Sequence, residues 1–212
     1  MDITEDDGPD DDVARSAARH QQDRVLDTSA LRALAHPLRV RMYDILSQYG
    51  PQTSSSLAAR LGESSGSMSY HLRALAKHDL IREVPGRGTV RERWWERPPG
   101  GITLGPAEAV GTPAGRAAAQ LVTHEVMRNR TQQLTDFLNT GLHEEEEAWR
   151  DAALVSTATT RMTPAQTALL RGRIMALIDD AVDTYRHQTG EDVRPVTIRA
   201  DIFPLPELGG DT

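Results

Sequence analysis

Residues 54–78 read SSSLAARLGESSGSMSYHLRALAKH, and this stretch decides the fold. The apolar spacing in its first third predicts a helix over Ser54–Leu61, which ends at Gly62 as a C-cap. Ser64 can then cap a second helix over residues 65–78. The apolar face of that second helix carries Met68, Leu72 and Leu75. Two short helices joined by a tight turn that contains glycine are typical of a helix-turn-helix.

The flanking sequence extends this motif on both sides. Upstream, apolar residues recur at spacings of three and four and form one helix face: Leu31, Leu34, Leu38, Met42, Ile45 and Leu46. Pro37 interrupts this face, so we expect a helix to begin or break there, and Gly50 ends the segment. Downstream, residues 80–84 and 90–96 are strand-like and are joined by the turn residues 85–89, which predicts a β-hairpin.

Three segments in this order resemble a known family. They are ALAHPLRVRMYDIL (33–46), SSLAARLGESSGSMSYHLRALAKHDLIREV (55–84) and GRGTVRERWWE (86–96). Together they resemble the winged helix-turn-helix of the ArsR-type bacterial transcriptional regulators, in the longer form with a C-terminal extension. The resemblance covers about residues 28–97. It implies an α+β, mostly helical fold in which residues 28–100 form a winged helix-turn-helix DNA-binding domain.

The second predicted helix carries the candidate DNA-reading side chains. Its outward positions are Ser65, Ser67, Ser69, Tyr70, His71 and Arg73. Serine and tyrosine hydroxyls can bond phosphates, and an arginine can reach phosphate or guanine. The family resemblance implies base readout at these same positions. The alternative, that a serine-rich start only caps the helix, explains Ser64 and leaves Ser67 and Ser69 unexplained.

The predicted hairpin carries a second set of candidate DNA contacts. Arg87 lies at its tip, and Arg91 and Arg93 are two residues apart, so they point to the same strand face. This spacing suits adjacent phosphates or a narrow minor groove. The alternative is a solvated cross-strand network of these arginines with Glu92 and Glu96.

The sequence disfavours metal binding and catalysis. Cysteine is absent and the seven histidines never occur at i, i+4 spacing, so we expect no metal site and no cofactor. Residues 62–66 fit the G-x-S-x-G pattern but follow a helix rather than the strand that a nucleophile elbow needs. We therefore expect no enzyme activity.

Arg39 and Arg41, which follow the His36–Pro37 pair, either contact phosphate or are solvated.

The two ends of the chain have a different character from the middle. Residues 1–27 predict an acidic, disordered N-terminal tail, although residues 14–25 are compatible with a helix. Residues 101–212 predict a smaller α-β-α-β module for dimerisation or effector binding. Its elements are a helix over 117–142, a strand over 154–160, a helix that opens at Thr163–Pro164 and ends near Gln188, and a strand over 196–202. The apolar face of its helices packs either in a homodimer interface or in an intramolecular core.

The charge distribution indicates a polyanionic partner for the middle of the chain only. The formal net charge is −7, yet residues 13–100 hold 14 arginines and lysines against 8 acids. Residues 1–12 hold seven acids and no base, and residues 101–212 hold 10 bases against 16 acids. A basic segment between two acidic ones is typical of a chain that binds nucleic acid through that segment.

These observations predict a sequence-specific DNA-binding transcriptional regulator. We expect a dimeric, cytoplasmic repressor that reads an inverted repeat in double-stranded DNA with the 65–78 helix and the 85–93 wing. The half-sites would lie about one helical turn, roughly 34 Å, apart. One alternative is a winged-helix protein-interaction module, and another is a regulator with a small-molecule effector pocket in the C-terminal module. No membrane partner is expected, because no apolar run is long enough to cross a bilayer.

Overall fold

The computed structural model describes residues 9–20, 23–89, 92–100, 102–104 and 111–206. The chain divides into two compact units, one over 23–156 and the other made of 1–22 and 157–212. This division places residues 111–156 with the helix-turn-helix, whereas the sequence predicted a single module over 101–212. The fold class is confirmed: the chain is mostly helical and carries a small three-stranded antiparallel sheet.

The larger unit contains most of the regular structure. Its helices are α2 (Thr28–Leu34), α3 (Pro37–Tyr49), α4 (Ser54–Leu61), α5 (Ser65–Ala76), α6 (Pro113–Asp136), α7 (Leu142–Glu144) and α8 (Glu147–Ala152), with a π-helical turn (Phe137–Gly141) between α6 and α7. Its strands are β1 (Arg24–Leu26), β2 (Gln52–Thr53), β3 (Arg82–Thr89), β4 (Glu92–Glu96) and β5 (Ile102–Leu104).

Capping residues fix where the helices of the helix-turn-helix begin and end. Pro37 occupies the first turn of α3, as the sequence predicted. Thr53 and Ser56 form a reciprocal capping box at the start of α4, and Gly62 ends that helix in the left-handed conformation with φ 69°. Ser64 accepts a hydrogen bond from the Ser67 N–H at the start of α5. The predicted Gly62 and Ser64 caps are therefore confirmed.

The wing is an antiparallel sheet in the order β2-β4-β3. Strand β3 continues to Thr89, so residues 85–89, which the sequence predicted as the turn, belong to the strand. A register shift between Glu83 and Gly88 accommodates Pro85, which has no N–H to donate to the ladder. Trp95 on β4 is buried in the core of the larger unit.

The core of the larger unit is built from leucine, alanine and a few larger side chains. Leu31, Leu57, Met68, Leu72 and Leu75 are fully enclosed. Helix α6 joins this core because its buried face packs on α2 and α3. That buried face carries Gly115, Ala118, Ala119, Val122 and Glu125. This packing is the physical reason that α6 belongs with the helix-turn-helix rather than with the C-terminal residues.

The smaller unit pairs two helices that are distant in sequence. They are α1 (Pro9–His20) and α9 (Pro164–Tyr185). The Ser16 hydroxyl is buried and donates to the Asp179 carboxylate at 2.6 Å. The predicted disordered tail over 1–27 is therefore wrong for residues 9–20, because α1 gains a partner in α9. Strand β1 also lies inside the predicted tail, and it pairs in parallel with β5.

The C-terminal residues correct a second prediction. The Thr163 capping box and Pro164 start α9 as expected. However, residues 154–160 and 196–202, both predicted as strands, lie outside any helix or strand, although the sequence of 196–202 alternates. Val196 is 68% exposed and Ile198 is 53% exposed. A strand needs a neighbour for its N–H and C=O groups, and no described segment pairs with these residues.

Within the described residues, no helix has the length and apolar character needed to cross a membrane.

Gly172 gives a test of the α1–α9 pairing. A Cβ atom at Gly172 would lie 2.8 Å from Val13 Cγ1, so a larger side chain forces α1 away from α9. We expect Gly172→Leu to accelerate amide hydrogen exchange across α1, measured by mass spectrometry. Ala168→Leu, on an exposed position of the same helix, is the matched control. Equal exchange of α1 in both variants and the wild type would contradict the pairing.

Candidate nucleic-acid interface

Helix α5 presents one polar face to solvent from a firmly anchored position. Met68, Leu72 and Leu75 are fully buried, as predicted, and they fix the rotation of the helix. Tyr70 is 60% exposed, and Ser65 and Arg73 are also exposed. Arg73 makes no hydrogen bond or ion pair within the part of the chain that the structure describes. These three side chains are therefore available to a groove of DNA.

Ser67 and Ser69 are less accessible than predicted. Both are half-buried. The Ser69 hydroxyl donates to the Ser54 hydroxyl at 3.0 Å, which ties α5 to the first turn of α4. This contact holds the two helices of the motif together, so Ser69 has a structural role whether or not it contacts a ligand.

The expectation that His71 points outward is wrong. Its side chain is only 8% exposed. It follows Met68 by three residues and precedes Leu75 by four, so helical periodicity places it on the buried face. Arg39 Nε donates to His71 Nδ1 at 3.2 Å, and Arg39 Nη1 donates to the Ala33 carbonyl at 2.7 Å. Arg39, for which the sequence left two interpretations open, therefore links α3 to α5 through His71.

The surroundings of His71 favour its neutral form. Burial lowers the pKa of His71, and the nearby His36 and Arg39 lower this pKa further, whereas Glu63 opposes them. The His36 and His71 ring centroids are 4.7 Å apart. Because Nδ1 accepts the hydrogen bond from Arg39, a neutral imidazole is the form that fits this network.

Arg87 is held on the wing by an aromatic ring. Its guanidinium carbon lies 3.7 Å from the centroid of the Trp94 ring, a cation–π contact. The adjacent Gly88 has φ 98°, and a Cβ atom there would overlap the Glu92 carbonyl oxygen and lie 2.9 Å from Trp94 Cδ1. Glycine at this position therefore permits the close approach of the two strands that brings Trp94 beneath Arg87.

The other wing arginines have different surroundings. Arg93 pairs with Glu83 across the strands at 3.4 Å, and Arg82 pairs with Glu96 at 2.7 Å. The cross-strand network that the sequence offered as an alternative is therefore formed at Arg93, with Glu83 as its partner. Arg91, also predicted to contact DNA, lies outside the described residues.

Arg24 is a positioning residue that the sequence reasoning missed. Its guanidinium donates to the backbone carbonyls of His78 and Asp79, just beyond the end of α5, with Nη2 2.5 Å from the His78 carbonyl oxygen. These two carbonyl groups belong to the turn that follows α5, so Arg24 ties β1 to that turn. Ser29 adds a second tie, 3.1 Å from His78 Nδ1. Nothing in the local sequence pairs Arg24 with residues more than 50 positions away.

The comparison with known families agrees with this geometry. A family model described as a helix-turn-helix domain matches residues 34–84. The matched segment spans α3, α4 and α5 and reaches into β3. The chain therefore contains a helix-turn-helix domain, a fold typical of DNA-binding transcription regulators. No curated protein sequence matches the chain.

The lowered pKa of His71 predicts a pH-dependent stability. The folded protein resists protonation of His71, whereas the unfolded chain protonates near pH 6.5. We expect the thermal midpoint of the larger unit to fall as the pH drops below about 6.5. Tryptophan fluorescence measures this midpoint, because all three tryptophans, Trp94, Trp95 and Trp149, lie in the larger unit.

His71→Asn should remove part of this pH dependence, since an amide oxygen can accept from Arg39 without titrating. His143→Asn, on an exposed histidine, is the matched control. The same pH profile in His71→Asn as in wild type would refute the assignment.

Proposed function

We propose that the chain is a sequence-specific DNA-binding transcriptional regulator of the ArsR type, acting as a cytoplasmic repressor. The observation that carries this proposal is the asymmetry of α5. One face is buried in the core and carries Met68, His71, Leu72 and Leu75. The opposite face is exposed to solvent and carries Ser65, Tyr70 and Arg73. A helix held in this way can enter the major groove as a rigid reading element.

The proposed contacts divide into base readout and phosphate binding. Arg73 and Tyr70 suit base edges, since arginine pairs with guanine and tyrosine contacts a thymine methyl or a phosphate. Arg87 on the wing suits phosphates or a narrow minor groove. Ser65, Ser67, Ser69, Arg91 and Arg93 complete the proposed set. His71 acts through Arg39 as a positioning residue and touches no DNA.

We also propose that two copies bind an inverted repeat. Met127, Leu134 and Leu138 are exposed on α6 and the π-helical turn that follows it, at spacings of seven and four. This stripe lies on a different face from the one that packs on α2 and α3, and its spacing is typical of a helix–helix seam. The exposed apolar residues of α9, among them Leu170 and Leu177, are a second candidate surface for the homodimer.

Selection from a pool of random duplex DNA tests the proposal. We expect wild type to enrich a palindromic motif with half-sites about one helical turn apart. Arg73→Ala should weaken binding about tenfold or more and relax the preference at one position of each half-site. Arg87→Ala should weaken binding to all sequences and flatten the salt dependence. Arg32→Ala, on the exposed surface of α2, is the control and should match wild type.

The outcomes separate the candidate functions. A single asymmetric half-site would contradict the dimer. Failure to enrich any motif, with equal binding of all variants, would contradict DNA reading and favour the protein-interaction alternative.

The contact between Arg87 and Trp94 gives a second prediction. If Trp94 orients Arg87, Trp94→Leu should lower affinity for the selected DNA to a similar extent as Arg87→Ala. The double variant should then be little weaker than either single variant, because both changes remove the same contact. Fluorescence anisotropy measures the three affinities. Additive losses would show that the two side chains act independently.

A further inference from the structure

A polar groove in the larger unit has no part in the proposed DNA contacts. It lies where α3, α4 and α6 meet, it is open to solvent, and its volume is about 310 Å³. This volume is at the lower end of the range for small-molecule sites, roughly 300–1,000 Å³. A second cavity, of about 370 Å³, lies beside the first turns of α9. It is lined by one helix and the chain just before it, so it bridges no two helices.

Hydrogen bonds between α3 and α6 fix the walls of the groove. Asn129 Nδ2 donates to Asp44 Oδ2 at 3.0 Å, and Gln133 Nε2 donates to Gln48 Oε1 at 3.1 Å. Both pairs join the same two helices, one turn apart. These two hydrogen bonds hold α3 and α6 together along the floor of the groove, whereas Arg41, Arg60 and Gln132 lie at its exposed rim.

The charged groups of the groove favour an anion. Arg41 and Arg60 both line it, and Arg60 is held 4.4 Å above the Tyr49 ring. Arg41 is exposed and makes no ion pair or hydrogen bond within the described ranges. The Asp44 carboxylate also lines the groove and accepts from Asn129, so the charged side chains that line the groove are two arginines and one aspartate. Two guanidinium groups thus line the groove from two helices, and guanidinium groups bind carboxylate and phosphate well.

The other residues that line the groove determine which kind of anion fits it. Carboxamides, which both donate and accept hydrogen bonds, stand beside the arginines and suit hydroxyl groups. They belong to Gln48, Asn129, Gln132 and Gln133. Ile45 and Leu61 add a small apolar wall. We propose that this groove binds a small, hydroxyl-rich anion, of the class of a sugar acid or a sugar phosphate.

A ligand here would connect the helix-turn-helix to the long helix α6. Arg60 belongs to α4, the first helix of the motif, and Gln132 belongs to α6, which carries the exposed apolar stripe. Bridging these two helices changes how firmly the motif is held against α6. This regulatory consequence rests on the proposed function, whereas the binding site does not.

Isothermal titration calorimetry of the full chain tests the site without DNA. The probes are D-gluconate and glucose 6-phosphate, and neutral glucose is the control for the charge requirement. We expect saturable one-site binding of at least one anion and none of glucose. Arg41→Gln and Arg60→Gln should each weaken that binding about tenfold. Arg32→Gln, which removes the same charge from an exposed site outside the groove, should bind like wild type. Thermal melting confirms that each variant is folded.

The result that overturns the proposal is distinct from a failure of the proposed function. Absence of saturable binding by both anions, or binding that is unchanged in Arg41→Gln and Arg60→Gln, rules out the site. Weakened DNA binding by these two variants, together with no anion binding, would reassign the arginines to DNA. Anion binding that needs both arginines upholds the site, even if the chain enriches no DNA motif.

Discussion

The burial of one face of α5 is the constraint on which the rest of the structure depends. Met68, Leu72 and Leu75 lie fully inside the core, so the helix cannot rotate without exposing large apolar side chains. Each such side chain contributes about 1.5–3 kcal/mol when it is buried. The outward direction of Tyr70 and Arg73 follows from this anchoring. The direction of the exposed face of α5 is therefore set by the packing of its buried face.

Polar contacts add to the apolar packing that fixes the orientation of α5. Arg39 joins the start of α3 to His71 in the middle of α5, and Arg24 binds the backbone just beyond the end of α5. Ser69 and Ser54 join α5 to α4. On the wing, the Trp94 ring supports Arg87. These contacts hold α5 against α3 and α4, tie down the turn after it, and support Arg87 on the wing.

Local signals in the sequence were sufficient to predict the helix-turn-helix. Pro37, Gly62 and Ser64 act through their own backbone or that of near neighbours. The helix boundaries that they set can therefore be predicted from a few residues. The buried face of α5 was also predictable from its spacing, yet His71 was misplaced. Its polarity suggested solvent, whereas its position between Met68 and Leu75 places it in the core, where Arg39 supplies the partner that a buried imidazole needs.

Long-range contacts were not predictable in the same way. Helix α1 forms beside α9, which lies some 150 residues further along the chain. The alternating residues 196–202 carry a strand pattern, but pairing needs a neighbour that the pattern cannot specify. The contacts of Arg24 and the groove between α3 and α6 likewise depend on which helices and strands pack together. The sequence thus predicted the helix-turn-helix, but not the long-range contacts that hold it in place.

The proposed DNA reading requires the exposed face of α5 to enter the major groove. The most direct measurement is photo-cross-linking with a benzophenone side chain introduced at Tyr70, on the outward face, or at Tyr49, the exposed last residue of α3. With the selected duplex bound, the side chain at position 70 should cross-link to a base within each half-site, and the one at position 49 should not. Cross-linking from position 49, or none from position 70 on DNA that remains bound, would contradict the account.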